Sequence, residues 1–147
     1  MNTIKLDLKP ANIMIHDRLY KITDFGLAKI VNTLIDKLTI SFKGTPLYMA
    51  PEMIQEEATA DPKIDMWSLG IILYRMLYNK YPFLIQNKKY DRETAFSDIV
   101  NNALNIPATP KRSDFMISLL IKMLKKNSKD RIGWEELFSL PQIKIQY

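Results

Sequence analysis

The run from Met66 to Leu77 constrains the fold more than any other part of the chain. Met66, Trp67, Leu69, Ile71, Ile72, Leu73, Tyr74, Met76 and Leu77 leave a helix here with almost no polar face. A surface helix carries one apolar stripe; a helix apolar on nearly every side must be covered on nearly every side. The sequence therefore calls for a helical bundle with this segment inside it. Asp61-Pro62 marks its start, as an N-cap followed by proline at the first helical position. Asn79-Lys80-Tyr81-Pro82 stops it. The run is interrupted by Ser68, Gly70 and Arg75, so it falls short of the ~20 apolar residues of a membrane span.

Three weaker helices follow. Glu93 to Leu104 carries Ala95, Phe96, Ile99, Val100 and Leu104 on one side. Ser113 can cap a helix to about Leu124, with Phe115, Met116, Leu119, Leu120 and Met123 inward. Trp134 to Leu140 forms a short last helix. Ahead of the central helix, Ile13-Met14-Ile15 and Leu19 to Ile22 flank the polar turn His16-Asp17-Arg18 and predict a small β-hairpin. The stretch from Asp24 to about Asp61 reads as loop, with the helix-breaking pair Ala50-Pro51 in it. A length of 147 residues fits one mainly α domain with a small β element near its start.

Composition excludes several functions. There is no cysteine, so disulfides and thiolate metal sites are out, and the single His16 builds no histidine cluster and reads as a surface or turn residue. The net charge is +5, but the basic residues are scattered and no aromatic ladder runs between them, so a solvated basic surface is expected and nucleic acid is not. Met1 to Leu8 is too polar and short for a signal peptide. A soluble intracellular, cytoplasmic protein is the expectation. The sequence sets no oligomeric state.

Chemistry-bearing residues fall in five clusters. Asp7-Leu8-Lys9-Pro10-Ala11-Asn12 comes first, then Asp24-Phe25-Gly26, then Gly44-Thr45-Pro46-Leu47-Tyr48-Met49-Ala50-Pro51-Glu52. Asp65-Met66-Trp67-Ser68-Leu69-Gly70 and Asp130-Arg131-Ile132 follow. In order and approximate spacing these resemble the catalytic loop, the magnesium-binding loop, the end of the activation segment, the start of the central helix and the late arginine motif of protein kinases. The resemblance extends over essentially the whole chain. Lys9 and Gly44-Thr45-Pro46 resemble the serine/threonine type. Asp65 to Phe83 and Arg131 to Phe138 look like the calcium/calmodulin-dependent and autophagy-initiating groups.

The resemblance implies an α+β family fold of which this chain is the mainly α C-lobe, with the hairpin beside the catalytic loop and the N-lobe absent. It implies a catalytic loop at 5–12, an activation segment at 24–52 and a helical region at 62–140. It implies transfer of the γ-phosphate of ATP to a serine or threonine hydroxyl of a protein substrate. Phosphoryl transfer is mostly positioning and charge neutralisation. Asp7 is then the carboxylate that orients the acceptor hydroxyl and takes its proton. Lys9 sets a positive charge against the transferred group. Asn12 and Asp24 offer oxygen ligands to Mg2+, and Gly26 lets the backbone turn after Asp24. Thr45 contacts the acceptor site. Glu52 and Arg131 form a buried ion pair, and Asp65 accepts hydrogen bonds from the catalytic-loop backbone. Phe25 and Trp67 are packing residues.

The chain also departs from the family. Lys5-Leu6-Asp7 stands where His-Arg-Asp is usual. The family histidine packs under the Asp-Phe-Gly phenylalanine, and a lysine is expected to replace it poorly. With Leu6 in place of arginine, a phosphate on Ser41 or Thr39 would meet only a residue such as Lys29 and activate weakly. No glycine-rich loop or Val-Ala-Ile-Lys strand precedes the catalytic loop. The chain therefore reads as part of a kinase, expected to transfer no phosphate at a useful rate alone. Two helices that normally precede the catalytic loop are missing as well, so the central helix is expected to lack part of its cover, which invites aggregation. The alternative is a non-catalytic kinase-like binding module. Lys5, Leu6 and the missing N-lobe favour that alternative; the intact Asp7, Lys9, Asn12 and Asp24 oppose it.

Overall fold

The structure is a computed structural model that describes residues 2–31, 37–38, 47–54, 58–59, 61–84 and 91–143. Its centre is helix α1, Lys63–Tyr78. The Asp61 carboxylate accepts from the Lys63 amide at 2.9 Å, and the Asp61 carbonyl accepts from the Ile64 amide at 3.0 Å. Capping by Asp61 thus matches the sequence reading, with the first helical residue one position later than Pro62. The helix stops at Asn79, whose left-handed backbone (φ 52°) turns the chain while its amide still bonds the Arg75 carbonyl.

Most of the all-round apolar pattern is met by two cores on two faces of α1, while Met76 stays 75% exposed, in keeping with the expected loss of part of its cover. Ile64, Trp67, Ile71, Tyr74 and Tyr78, at helical spacing, join Ile4, Ala50, Met53, Phe83, Ile99, Leu120 and Leu124. Met66, with Leu69 and Leu73 beside it, packs with Leu119, Met123, Ile132 and Leu137. Trp67 and Phe83 stack with centroids 5.2 Å apart and planes within 6°. Each side chain fully buried this way contributes about 1.5–3 kcal/mol.

Helix α2, Arg92–Asn101, starts at Asp91, whose carboxylate accepts from the Thr94 amide at 2.9 Å. It ends three residues before the expected Leu104. The Lys126 ammonium donates to the Val100 and Asn102 carbonyls at 2.6 and 2.5 Å, and the Asn102 side chain donates to the Phe83 carbonyl at 2.9 Å. A cation on the last carbonyls satisfies them and closes the helix. Leu104 and Ile106 then reach the core from chain beyond the helix end. Helix α3, Asp114–Met123, is capped by Ser113, which accepts from the Met116 amide at 3.3 Å. Helix α4 is Trp134–Ser139, anchored by Trp134 Nε1 donating to the Pro62 carbonyl at 3.1 Å.

Among the described residues, six short strands form three antiparallel pairs. Strands β2 (Ile13–His16) and β3 (Leu19–Ile22) make the predicted hairpin, closed by Asp17 and Arg18, both with positive φ. Two such residues are what a tight hairpin turn of this twist requires. In the other two pairs, three of the four strands fall between Asp24 and about Asp61, where loop was expected. Strand β1 (Asn2–Ile4) pairs with β4 (Lys29–Val31), and β5 (Lys37–Leu38) with β6 (Ala58–Thr59). The β1–β4 pairing brings the chain after Ile4 back beside the segment around Asp24. No described helix is long and apolar enough to cross a membrane.

Candidate active site

Residues 5–12 leave β1 as a loop pinned to the start of α1. Asp65 sits in the first turn of that helix, and its two carboxylate oxygens accept from the Lys5 amide at 2.6 Å and the Leu6 amide at 2.9 Å. Leu6 takes a left-handed φ of 65°, a costly conformation for a branched side chain that the paired bonds hold in place. Burial pushes the Asp65 carboxyl above its ordinary range, against the opposing pull of those two backbone donors and of Lys5.

The next turn gathers three polar side chains. Asp7 Oδ2 accepts from Lys9 Nζ at 2.8 Å and from Asn12 Nδ2 at 2.9 Å, and Asn12 Nδ2 also donates to the Asp7 carbonyl at 2.8 Å. Asn12 is buried, within a 3-10 turn at Pro10–Asn12 that proline opens. Asp7 and Lys9 are partly open to solvent, with side chains 28% and 39% exposed. Both hydrogens of the Asn12 amide point to Asp7, which leaves its oxygen as the remaining acceptor.

Asp24 is joined to this turn by two routes. Thr23, just before it, donates through its amide to the Asn12 carbonyl at 2.9 Å and through its hydroxyl at 3.3 Å. Lys5 Nζ donates to the Asp24 carbonyl. Asp24 has φ 56° and opens a 3-10 turn at Phe25–Leu27, with its Oδ1 accepting from the Gly26 amide at 3.3 Å. A Cβ on Gly26 would lie 3.2 Å from that same oxygen, so any side chain there would displace the Asp24 carboxylate.

Phe25, expected as a packing residue, stays 57% exposed, so Lys5 does not reproduce the packing of the histidine and makes polar contacts in its place. Lys5 is buried, its ammonium lies 5.4 Å from the centroid of the Phe25 ring, and the same ammonium bonds the Asp24 carbonyl. A lysine has the reach and the donor to hold both.

Further from the loop, Arg131 and Glu52 make a bidentate pair, with Nη1–Oε1 at 2.6 Å and Nη2–Oε2 at 2.9 Å. The remaining Arg131 donors go to the carbonyls of Lys63, Lys125 and Lys126, and the guanidinium lies over Trp67. Three residues not singled out as site residues fasten the neighbouring segment. Ser68 donates to the Tyr48 carbonyl at 2.7 Å, Arg75 donates to the Tyr48 hydroxyl, and Tyr81 meets the Tyr48 ring edge-on at 6.1 Å. Burial first, then the bond with Tyr48, pushes the Tyr81 hydroxyl up to about 12. In the sequence Ser68 lies within the cluster Asp65 to Gly70 but without a role of its own, and Arg75 and Tyr81 sit in the apolar helix and its stop signal, where no motif marks them. Thr39, Ser41 and Thr45 lie outside the described residues. Among the described residues, no three His, Cys, Asp or Glu side chains gather as a metal cage.

The protein kinase domain family model matches residues 1–143. The serine/threonine-protein kinase ULK3 of Homo sapiens is 32% identical over 99% of this chain and 30% of its own length. The serine/threonine-protein kinase unc-51 of Caenorhabditis elegans is 36% identical over 92% of the chain and 16% of its length. The serine/threonine-protein kinase Sgk3 of Rattus norvegicus is 38% identical over 94% of the chain and 27% of its length. The chain thus spans less than a third of each of these three relatives.

Proposed function

The chain belongs to the serine/threonine protein kinase family, and from that premise we propose that residues 1–147 are the C-lobe part of a catalytic domain that phosphorylates serine or threonine in proteins. The catalytic loop is 5–12, the activation segment 24–52 and the helical body 62–140. The observation that carries the reading is the junction of two motifs: Asp7, Lys9 and Asn12 share one hydrogen-bonded turn, and Asp24 is tied to it through Thr23.

Each residue then has a definite task. Lys9 and Asn12 occupy Asp7 Oδ2, which leaves Oδ1 to receive the acceptor hydroxyl. As the hydroxyl oxygen bonds to the γ-phosphorus, the bond from phosphorus to the bridging oxygen breaks, ADP leaves, and the hydroxyl proton passes to Asp7 Oδ1. Lys9 Nζ balances negative charge on the phosphoryl group in flight. The Asp24 carboxylate and the Asn12 amide oxygen are a donor set that fits Mg2+, a hard ion held by one or two carboxylates together with water and phosphate oxygens. Bound magnesium supplies charge neutralisation at the phosphates. Thr45 shapes the acceptor site, and Ser41 or Thr39 are the candidate phosphorylation sites of the activation segment. Glu52–Arg131 ties the end of that segment to the helical body.

The test is a transfer assay on the protein expressed from its complete reading frame, with magnesium-ATP and a generic protein substrate. Transfer is expected, and Asp7→Asn or Asp24→Asn should each lower kcat by about 100-fold or more. Wild-type rates in both variants, or phosphate appearing on tyrosine alone, would overturn the reading. Binding of protein partners unaffected by either substitution, without transfer by the wild type, would mark the non-catalytic module instead.

A further inference from the structure

Arg75 contrasts with Arg131. The donors of Arg131 all have acceptors, and a carboxylate takes two of them. Arg75 Nη1 donates to the Tyr48 hydroxyl, and the guanidinium lies 4.7 Å from the centroid of the Tyr81 ring. Its Nε is buried with no acceptor. Its Nη2 has no acceptor among the described residues either, and the side chain is partly open to solvent. Among the described residues, no carboxylate makes an ion pair with it. A buried donor without an acceptor is costly, and native proteins keep few of them. A guanidinium fixed by two tyrosines, with a free donor and no counter-charge, suits an anion arriving from outside.

The place of this cation points to the source of the anion. Ser68 and Arg75 stand two turns apart on one face of α1, and they hold the Tyr48 carbonyl and the Tyr48 hydroxyl respectively. Tyr48 follows Thr45 by three residues in the chain, a reach of at most about 11 Å. In the function proposed above, Thr45 shapes the acceptor site. An extended substrate advances about 3.3 Å per residue, so the residues that flank its acceptor come close to Arg75. We propose that Arg75 is an anion subsite beside the acceptor, which selects protein substrates carrying an aspartate or glutamate near the phosphorylated serine or threonine. The proposal rests on the kinase reading and adds to it the chemical class of the substrate. Its guanidinium is always charged and already oriented by Tyr48 and Tyr81, so little order is lost when a carboxylate binds.

The test uses the protein expressed from its complete reading frame and peptides with a single serine, in which one neighbouring residue at a time is glutamate, alanine or lysine. The first readout is binding, by fluorescence anisotropy of labelled peptides, and needs no transfer. At one position or more, glutamate should bind about 10-fold tighter than lysine, with alanine between them. Arg75→Glu should reverse that order, Arg75→Gln should flatten it, and Arg75→Lys, which keeps the charge, should retain it. The second readout is kcat/KM for transfer, which should follow the same order, mainly through KM. Equal binding of the three peptides by the wild type at every position would overturn the subsite whether or not the variants fold. So would a preference for glutamate that survives Arg75→Glu. Transfer to serine without any charge preference would overturn the subsite and leave the kinase reading standing. A charge order that Arg75→Glu reverses, in a protein that transfers no phosphate, would uphold the subsite and overturn the kinase reading.

Discussion

Arg131 shows how one side chain can hold two distant parts of the chain. Its side chain is fully buried, and all five of its N–H donors have acceptors, two of them the oxygens of Glu52. Removing the carboxylate leaves a buried guanidinium without its counter-charge. Glu52→Ala should therefore cost about 3 kcal/mol, the lower end of the range for breaking a buried pair, since Glu52 keeps 17% exposure. Urea denaturation measures it, and a cost below about 1 kcal/mol would show that the pair is a surface one in effect. Tyr74 gives a second test. It is buried, donates to the Asn105 carbonyl at 2.6 Å, and burial, with Tyr78 beside it, pushes its hydroxyl from 10.0 up to about 12. The unfolded chain releases this proton near 10 and the folded one near 12, so the folded state holds more protons in between. Its contribution is complete below pH 10 and is lost as pH rises through 12, amounting to about 2–3 kcal/mol. Stability measured at about pH 9 and about pH 11.5 should fall in both wild type and Tyr74→Phe, but by roughly 2 kcal/mol less in the variant.

Between elements, α1 comes close to the end of α3 at Gly70. A Cβ on Gly70 would lie 2.9 Å from Leu124 Cδ2 and 3.0 Å from Met123 Cβ. Met123 Cβ cannot swing away, and both residues are buried, so the helices must part. Gly70→Ala gains about 1 kcal/mol in helix propensity and loses about 1–3 kcal/mol to overpacking. The net expectation is destabilisation by about 1 kcal/mol, read from the denaturation midpoint; a stabilised variant would show that the gap can open freely. The elements most legible in the sequence were those with a local cause. Helix α1 has its cap and its stop in the chain, and the hairpin has its alternating runs. The end of α2 was not legible because Lys126, 24 residues from Asn102, closes it. Strands β1 and β4 were not either, since each is short and is defined only by the other. At the site, motif spacing marked Asp7, Lys9, Asn12 and Asp24, but it could not show that Lys5 bonds the Asp24 carbonyl. That contact depends on reach and burial, which a comparison of residue types does not contain.

At the scale of the whole molecule, apolar surface is divided unevenly. The two cores on α1 account for most of the buried side chains, while the β2–β3 hairpin stands outside them with Met14, Ile15, Leu19, Tyr20 and Ile22 each about half exposed or more. Phe25, Leu27 and Ile30 extend the same kind of surface along the neighbouring segment. Exposed apolar side chains in this number favour association, and a net charge of +5 opposes it only weakly at physiological salt. Ile15 and Tyr20 face each other across the hairpin. Replacing both, Ile15→Thr with Tyr20→Lys, removes apolar area from one face of the hairpin and keeps a β-branched residue at one of the two positions. Because neither side chain reaches the helical cores, the unfolding midpoint should move by less than about 0.5 kcal/mol equivalent. Light scattering against concentration should meanwhile show weaker self-association than wild type. A large loss of stability would mean that the hairpin is part of the cooperative unit, and unchanged scattering would mean that the association of this chain is driven from a different face.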